Sequence, residues 1–222
     1  MRQDFIRPRL VLITTLLPDG EAGVAAMRAA LGAGDVASVI IDPAGRDADT
    51  FQRFAEGLVP LIQDFGAAAI IADDTRCAGR VKADGLHVSG GDVTELAETV
   101  ERFAPRMIVG ASGFETRHDA LEAGEKMPDY LFYGSFGGDT EDAPSPDDLD
   151  MAQWWAEIVE VPCIVLGGRD VETLGEAAET GAEFIALSAA VFKDRGAAAA
   201  MVERANAAID AVSATILESL AV

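Results

Sequence analysis

The chain has 222 residues, half of them hydrophobic and a quarter charged, which is the balance of a folded protein rather than a disordered one. This length fits one compact domain with a substantial core. The formal net charge is −21, from 38 acidic and 17 basic residues. It argues against nucleic acid as a partner, because binding to a phosphate backbone needs clustered lysine and arginine.

The first apolar run follows a few basic residues and ends at Pro18, Asp19 and Gly20 without a small-residue cleavage site. It is too short to cross a membrane and lacks the features of a secretory signal. We therefore interpret it as a first strand and expect a cytoplasmic protein with no membrane partner. Cys77 and Cys163 lie far apart, without the spacing of a zinc site or redox pair, and are predicted to be reduced, buried thiols.

Eight short apolar runs rich in β-branched residues follow one another along the chain. They are residues 10–17, 36–42, 67–73, 85–90, 106–112, 129–135, 162–168 and 184–191. Stretches with apolar residues at helical spacing separate them. Strands that are continuously apolar and alternate with helices predict a parallel sheet, which eight units close into a single α/β domain, a (β/α)8 TIM barrel over residues 1–222. The rival, an open doubly wound sheet, normally has a Gly-rich fingerprint that is missing after the first strand.

The last two strand ends carry residues suited to an anion. Gly167 and Gly168 close the seventh run, and Ser188 and Ala189 follow the eighth. Barrels often bind phosphate here, and glycines let backbone amides approach the oxygens without a lysine. Arg169 could add a cationic contact or only solvate a helix start. The alternative is that the glycine pair simply makes a tight turn.

Three carboxylates follow neighbouring strands. Asp73 and Asp74 end the third run, and Asp92 follows the fourth. Clustered oxygen ligands suit Mg²⁺, which bridges readily to substrate phosphates. Helix capping explains the same residues equally well, because an aspartate before a helix accepts hydrogen bonds from free backbone amides.

Few other polar residues stand in the predicted strands. Ser112 ends the fifth run and could bind a ligand, whereas His87 lies inside the fourth and is expected to be a packing residue with satisfied hydrogen bonds. His118 falls on a helical pattern and is expected at the surface. The spacing of these residues indicates no nucleophile with its base.

Several segments, in this order, resemble the thiamine phosphate synthase family and the related thiazole tautomerases. ADGLHVSGGD (83–92) is similar to the family's Ala-Asp-Gly-Val-His-Leu-Gly-Gln-x-Asp, and IVGAS (108–112) to its Ile-x-Gly-Val-Ser. PDYLFYGSF (128–136), PCIVLGG (162–168) and GAEFIALSAAVF (181–192) match its later strand ends. The resemblance covers the chain from the first strand to the eighth.

The resemblance implies an activity and a set of site residues. The family joins hydroxymethylpyrimidine diphosphate to a thiazole phosphate, releasing diphosphate, with magnesium and cationic side chains holding the leaving group. Asp74 and Asp92 would then be the magnesium ligands, with Asp73 in place of the family's asparagine. Ser112 would be the catalytic-site residue that contacts the diphosphate or pyrimidine. The thiazole phosphate would lie against Gly168, Ser188 and Ala189.

The sequence departs from the family on the diphosphate side. Where the family has Gln-x-Arg-x-Lys after the second strand, this chain has IIDPA (40–44), and no basic residue stands between 134 and 150. Arg46 or Arg76 could fold in to compensate. For the tautomerase alternative, the family's histidine two residues after the serine is replaced by Phe114.

We therefore predict a barrel of this family that binds a phosphorylated small molecule, with transferase activity altered or lost. The alternatives are a non-catalytic paralogue that binds a ligand or a partner, and a tautomerase-like isomerase. Trp154 and Trp155 are adjacent on a helical pattern, so that one should pack inward and the other could be exposed and mark an interface, such as that of a homodimer. The alternative is that both are half-buried on the outside of the barrel.

Overall fold

The computed structural model describes residues 5–220 and shows eight parallel strands among them, closed into a barrel in sequence order. The predicted TIM barrel is thereby confirmed, whereas residues 1 and 222, the predicted domain limits, lie outside this range. The strands are β1 (Arg9–Ile13), β2 (Val36–Ile41), β3 (Ala68–Ala72), β4 (Gly85–Val88), β5 (Ile108–Ser112), β6 (Tyr130–Tyr133), β7 (Cys163–Leu166) and β8 (Phe184–Leu187).

Helices follow the strands and cover the outside of the barrel. They are α1 (Glu21–Leu31), α2 (Ala48–Asp64), α3 (Thr75–Val81), α4 (Val93–Phe103), α5 (Arg117–Gly124), α6 (Pro146–Ile158), α7 (Leu174–Glu179), the single turn α8 (Ala189–Phe192) and α9 (Ala198–Leu220). The long α9 packs against α1 and α7 and covers the seam where β1 pairs with β8. No helix in residues 5–220 is long and apolar enough to cross a bilayer.

All eight predicted strands are longer than the observed ones, and the first and last extend four residues past the observed ends. The run 10–17 ends as a strand at Ile13, because the chain turns and the amide of Leu17 donates to the carbonyl of Thr14. The run 184–191 leaves the sheet after Leu187, and its last residues begin α8. Apolar residues continue past both strand ends: the turn after β8 is buried, and after β1 Leu17 is buried while Leu16 is exposed, so hydropathy alone cannot mark the boundary.

Side chains alternate between two apolar layers, as the pleat of each strand requires. One layer fills the inside of the barrel and consists of Val11, Ile13, Ile40, Ile70, Ala72, Tyr130, Phe132, Ile164, Leu166 and Ala186. The other lies between the sheet and the helices and includes the fully buried Trp155, together with both free cysteines. The prediction of reduced, buried thiols is therefore confirmed.

Candidate functional site at the carboxyl end of the barrel

The strand ends predicted to form a phosphate corner do come together, since β7 and β8 are neighbours in the barrel. The backbone amides of Ser188 and Ala189 point at the same spot, as expected for an anion site. A carboxylate of the chain itself lies at that spot: Oδ2 of Asp139 accepts a hydrogen bond from the Ser188 amide at 3.0 Å and another from the Ala189 amide. Asp139 belongs to the loop between β6 and α6.

The same loop also engages the end of β7. The amide of Arg169 donates to the carbonyl of Glu141 at 2.8 Å, and the amide of Asp170 to the carbonyl of Asp142 at 3.0 Å. A Cβ added at Gly168 would overlap the backbone of Asp142 and Ala143. The glycine at 168 is therefore needed for the close passage of this loop.

Arg169 does not face an open anion site. Its guanidinium donates to the Asp142 carboxylate at 2.5 Å, and this ion pair is largely exposed. The hydrogen bond to Asp142 is the main reason that the pKa of Arg169 is raised above its usual range. Arg169 is thus already paired with a carboxylate of the loop.

Asp139 is buried, with 3% of its surface exposed. Desolvation raises the pKa of its carboxyl, and the hydrogen bonds from Ala189 and Ser188 work against that shift. Two buried oxygens at this place have no hydrogen-bond partner in the described residues, Oδ1 of Asp139 and Oγ of Ser188. Polar atoms left unpaired under burial are costly, which marks the corner as a place where another ligand or water belongs.

Nothing in the sequence pattern singled out Asp139 as a site residue. In the sequence it is one of several acidic residues in a loop with no basic residue. The signal that could have found it is local: Gly137 adopts a left-handed φ of 72°, and the Gly138 amide donates to the Ser135 carbonyl, which forms a tight turn just before Asp139. This turn directs the following aspartate back over the barrel.

Asp74 and Asp92 lie at helix starts in the structure. Oδ1 of Asp74 accepts from the first amides of α3, at 3.0 and 2.8 Å, and Oδ1 of Asp92 accepts from those of α4, at 2.8 and 3.1 Å. Both are helix caps, as one of the two interpretations predicted. In each carboxylate the described hydrogen bonds use only Oδ1, so one oxygen of each remains able to meet a cation.

Asp73 has a different role from its neighbour. It adopts a left-handed φ of 56°, which aspartate tolerates better than most residues. Its carboxylate accepts from the amide of Ser89 at 2.9 Å and from the Ser89 hydroxyl at 2.5 Å, joining the ends of β3 and β4. Within residues 5–220 no group of three or more His, Cys, Asp or Glu is arranged to hold a metal ion, and magnesium stays a prediction.

Ser112 is buried and not open to the mouth, with 4% of its surface exposed. Its Oγ is 2.9 Å from Nε2 of His87, and Nδ1 of that ring is 2.9 Å from the Tyr130 hydroxyl. The sequence did not predict this contact, which arises because β4 pairs with β5 and places His87 opposite Gly110, two residues before Ser112. The expectation that His87 is a satisfied packing residue is confirmed.

The row formed by Ser112, His87 and Tyr130 is uncharged. Burial lowers the pKa of His87 to about 3, and burial raises the pKa of Tyr130. A neutral imidazole donates through one nitrogen and accepts through the other, so it bridges both hydroxyls in either tautomer. No carboxylate completes a triad among the hydrogen bonds of these side chains, and the row orders the Ser112 hydroxyl without activating it.

The polar side chains near the end of β2 are hydrogen-bonded within the chain. The buried Asp42 accepts from the Thr15 hydroxyl at 2.6 Å and from the amide of Ala44 at 2.9 Å. Arg46 turns away from the mouth: its guanidinium donates to the Asp19 carboxylate and the Leu17 carbonyl, both at 2.7 Å. Arg76 is exposed near the start of α3. Of Arg46 and Arg76, only Arg76 has a guanidinium with no hydrogen-bond partner among the described residues.

A polar cavity of about 620 Å³ lies beside the mouth, between the loop after β5 and the start of α6. Phe114, Tyr133 and Met151 form its apolar side, and Glu115, Asp147, Asp148 and Asp150 make it acidic. Phe114 is buried. Burial, followed by the charge of Asp147, raises the pKa of Asp148.

One of the two tryptophans of α6 packs inward as predicted, and the other is not exposed. Trp155 is fully buried and donates through Nε1 to the Val161 carbonyl at 2.7 Å. Trp154 is half-buried, and the guanidinium of Arg117 lies 5.0 Å from its ring centroid. His118, on the neighbouring helix, is exposed as expected. A homodimer through this face stays a prediction.

Comparison with known proteins agrees with this architecture. The family model described as thiamine monophosphate synthase matches residues 10–191. A thiamine-phosphate synthase from Rhodospirillum centenum is 35% identical over 199 residues, covering 89% of this chain and 96% of that protein. One from Erythrobacter litoralis is 34% identical over 170 residues, covering 74% and 79%. The solved thiamine phosphate pyrophosphorylase from Pyrococcus furiosus superposes with a TM-score of 0.76 at 25% identity, covering 93% and 97%. The chain belongs to the thiamine monophosphate synthase family.

Proposed function

We propose that this barrel binds a phosphorylated small molecule at its carboxyl-terminal mouth and that it performs the family's transfer reaction slowly or not at all. That reaction would join a pyrimidine diphosphate to a thiazole phosphate. The observation that carries the proposal is the charge of the mouth: Asp42 closes the end of β2, Arg46 is bound to Asp19, and the loop after β6 is acidic.

The charge of the mouth affects the rate of transfer because negative charge develops on the departing diphosphate. Fixed donors aimed at such charge contribute the largest part of many enzymatic accelerations, and removing one costs about 100- to 1000-fold in rate. A loop with Asp139, Glu141 and Asp142 repels the same group; two unit charges 4 Å apart interact by about 1 kcal/mol in water and about 4 kcal/mol near a protein surface.

Magnesium would offset part of this loss by neutralising the diphosphate. Asp74 and Asp92 are the residues that would hold it, each through the oxygen not used for capping. Ser112 would contact the substrate from below only if the mouth rearranged around it, because its hydroxyl is directed at His87. The β7 and β8 ends supply amides, which can bind phosphate without any lysine.

The test is a side-by-side assay of this protein and the Rhodospirillum centenum relative, with pyrimidine diphosphate, thiazole phosphate and magnesium. We expect thiamine phosphate to form at least about 100-fold more slowly with this chain, the loss of one charge-stabilising group. Equal turnover would contradict the weakened-transferase proposal. Binding of thiazole phosphate without turnover would favour the second candidate, a non-catalytic ligand-binding paralogue, which the acidic loop after β6 also favours.

A further inference from the structure

Four backbone amides at the predicted phosphate corner are used by one loop. The amides of Ser188 and Ala189 bond to the Asp139 carboxylate, and the amides of Arg169 and Asp170 bond to carbonyls of the same loop. These four amides come from two different strand ends. They converge on a loop segment that carries negative charge and acceptor atoms, as a phosphate does.

We propose that Asp139 is an internal competitor for phosphate, so that the segment 139–143 closes the corner until a ligand phosphate displaces the carboxylate. This inference rests on the proposed function and adds the way in which that site is regulated. A carboxylate and a phosphate cannot share the two amides of Ser188 and Ala189, since both are anions and each amide has one hydrogen to donate.

The unpaired buried oxygens at Asp139 and Ser188 favour a carboxylate that a ligand phosphate can displace over one that is fixed in place. Its Oδ2 takes both amides, while its Oδ1 has no partner among the described residues although it is buried. The Ser188 hydroxyl beside it is also buried and unpaired. A phosphate has more acceptor oxygens than a carboxylate and could use both the amides and this hydroxyl, whereas Asp139 uses only the amides.

The loop geometry is the second argument. Asp139 follows Gly137 and Gly138, and Gly137 has a left-handed φ of 72°, so the segment can swing on residues with wide conformational freedom. Besides the two backbone hydrogen bonds from Arg169 and Asp170, the remaining attachments are at the surface: the Arg169 to Asp142 ion pair is largely exposed, and the Thr173 hydroxyl donates to the Asp142 carbonyl at 3.1 Å. An exposed ion pair holds a loop weakly.

The experiment is a titration with inorganic phosphate, followed by the backbone amide signals of Ser188 and Ala189 in isotope-labelled protein. Wild type is compared with Asp139→Ala and Asp139→Asn. Glu141→Gln is the matched control, because it removes one negative charge from the same loop and leaves the carboxylate at the two amides in place.

We expect Asp139→Ala to bind inorganic phosphate at least about tenfold more tightly than wild type, with saturating shifts of both amides, and Glu141→Gln to resemble wild type. Asp139→Asn keeps an oxygen for the amides and loses the charge, so it should fall between the two. It also serves as the test if the alanine variant does not fold, which a thermal melt shows beforehand.

Three results would overturn the proposal, and they separate it from the proposed function. If wild type and Asp139→Ala bind phosphate equally well at these amides, the competitor is refuted while phosphate binding stands. If Glu141→Gln gains as much as Asp139→Ala, loop charge in general is responsible. If phosphate moves neither amide in any variant, the corner is not a phosphate site and the competitor is refuted, while the weakened-transferase proposal is decided by the turnover assay.

Discussion

The hydroxyl of Ser112 lies 2.9 Å from Nε2 of His87, in the interior of the barrel beneath the mouth. Adjacent strands β4 and β5 bring the two residues together, and the Tyr130 hydroxyl completes the row from the other side of the ring. The imidazole is fully enclosed, which sets its protonation state and gives the fold a pH dependence of its own.

The free energy of unfolding should fall as the pH drops below the ordinary histidine value. Burial lowers the pKa of His87 from 6.5 to about 3. Between these two pH values the unfolded chain binds a proton on this histidine and the native protein does not. This contribution is fully present above pH 6.5 and is lost as the pH falls toward 3, by up to about 1.4 kcal/mol per pH unit for one proton. Chemical denaturation at several pH values measures it.

Two histidine variants isolate that effect. His87→Gln removes the titrating group, and its curve should be flatter than that of wild type between pH 6.5 and 4. His118→Gln, at an exposed position of α5, should leave the wild-type slope in place. A wild-type slope in His87→Gln would show that other groups produce the dependence.

Alanine at Gly110 should destabilise the barrel. A Cβ at this position would overlap the Tyr130 ring, which the pairing of β5 with β6 places opposite. Overpacking of this kind costs about 1 to 3 kcal/mol. The matched control is Gly79→Ala, at a helical glycine with open space around it, which should stabilise by up to about 1 kcal/mol through helix propensity. Urea denaturation of the two variants compares them; equal stabilities would contradict the packing argument.

Arg46→Ala should lower stability and leave phosphate binding unchanged. The guanidinium donates to Asp19 and to the Leu17 carbonyl and lies 3.9 Å from the Phe54 ring centroid. Loss of a hydrogen-bonded charged group with its cation–π contact is worth about 1 to 3 kcal/mol. Arg76→Ala, at an exposed position, should stay within about 0.5 kcal/mol of wild type. If Arg46→Ala loses phosphate affinity and Arg76→Ala does not, Arg46 contributes to phosphate binding.

Asparagine and alanine at Asp92 separate capping from metal binding. Asp92→Ala should cost about 1 kcal/mol, because the first amides of α4 lose their acceptor. Asp92→Asn keeps the cap and should cost only a few tenths. If Asp92 also holds magnesium, both variants lose the increase in melting temperature that MgCl₂ gives wild type. If MgCl₂ raises the melting temperature of Asp92→Asn as much as that of wild type, Asp92 caps the helix and does not bind magnesium.

The order and closure of the barrel follow from local sequence, because eight apolar runs separated by helical patterns leave few ways to bury both faces of a parallel sheet. The two strand ends Gly168 and Ser188 were also correctly placed together. The role of Asp139 was not predictable, since its partners are 49 and 50 residues away and a charged loop residue normally stays in water. The meeting of His87 with Ser112 depends on strand register, which hydropathy does not encode.

Gly168 shows what the glycine pair at the end of β7 requires. A side chain there would run into the backbone of Asp142 and Ala143, so glycine is needed even with no phosphate over it. In this chain the group that comes close to Gly168 is a peptide group of the loop after β6. The Gly-Gly at the end of β7 therefore marks a close approach and does not by itself identify the approaching group as a phosphate.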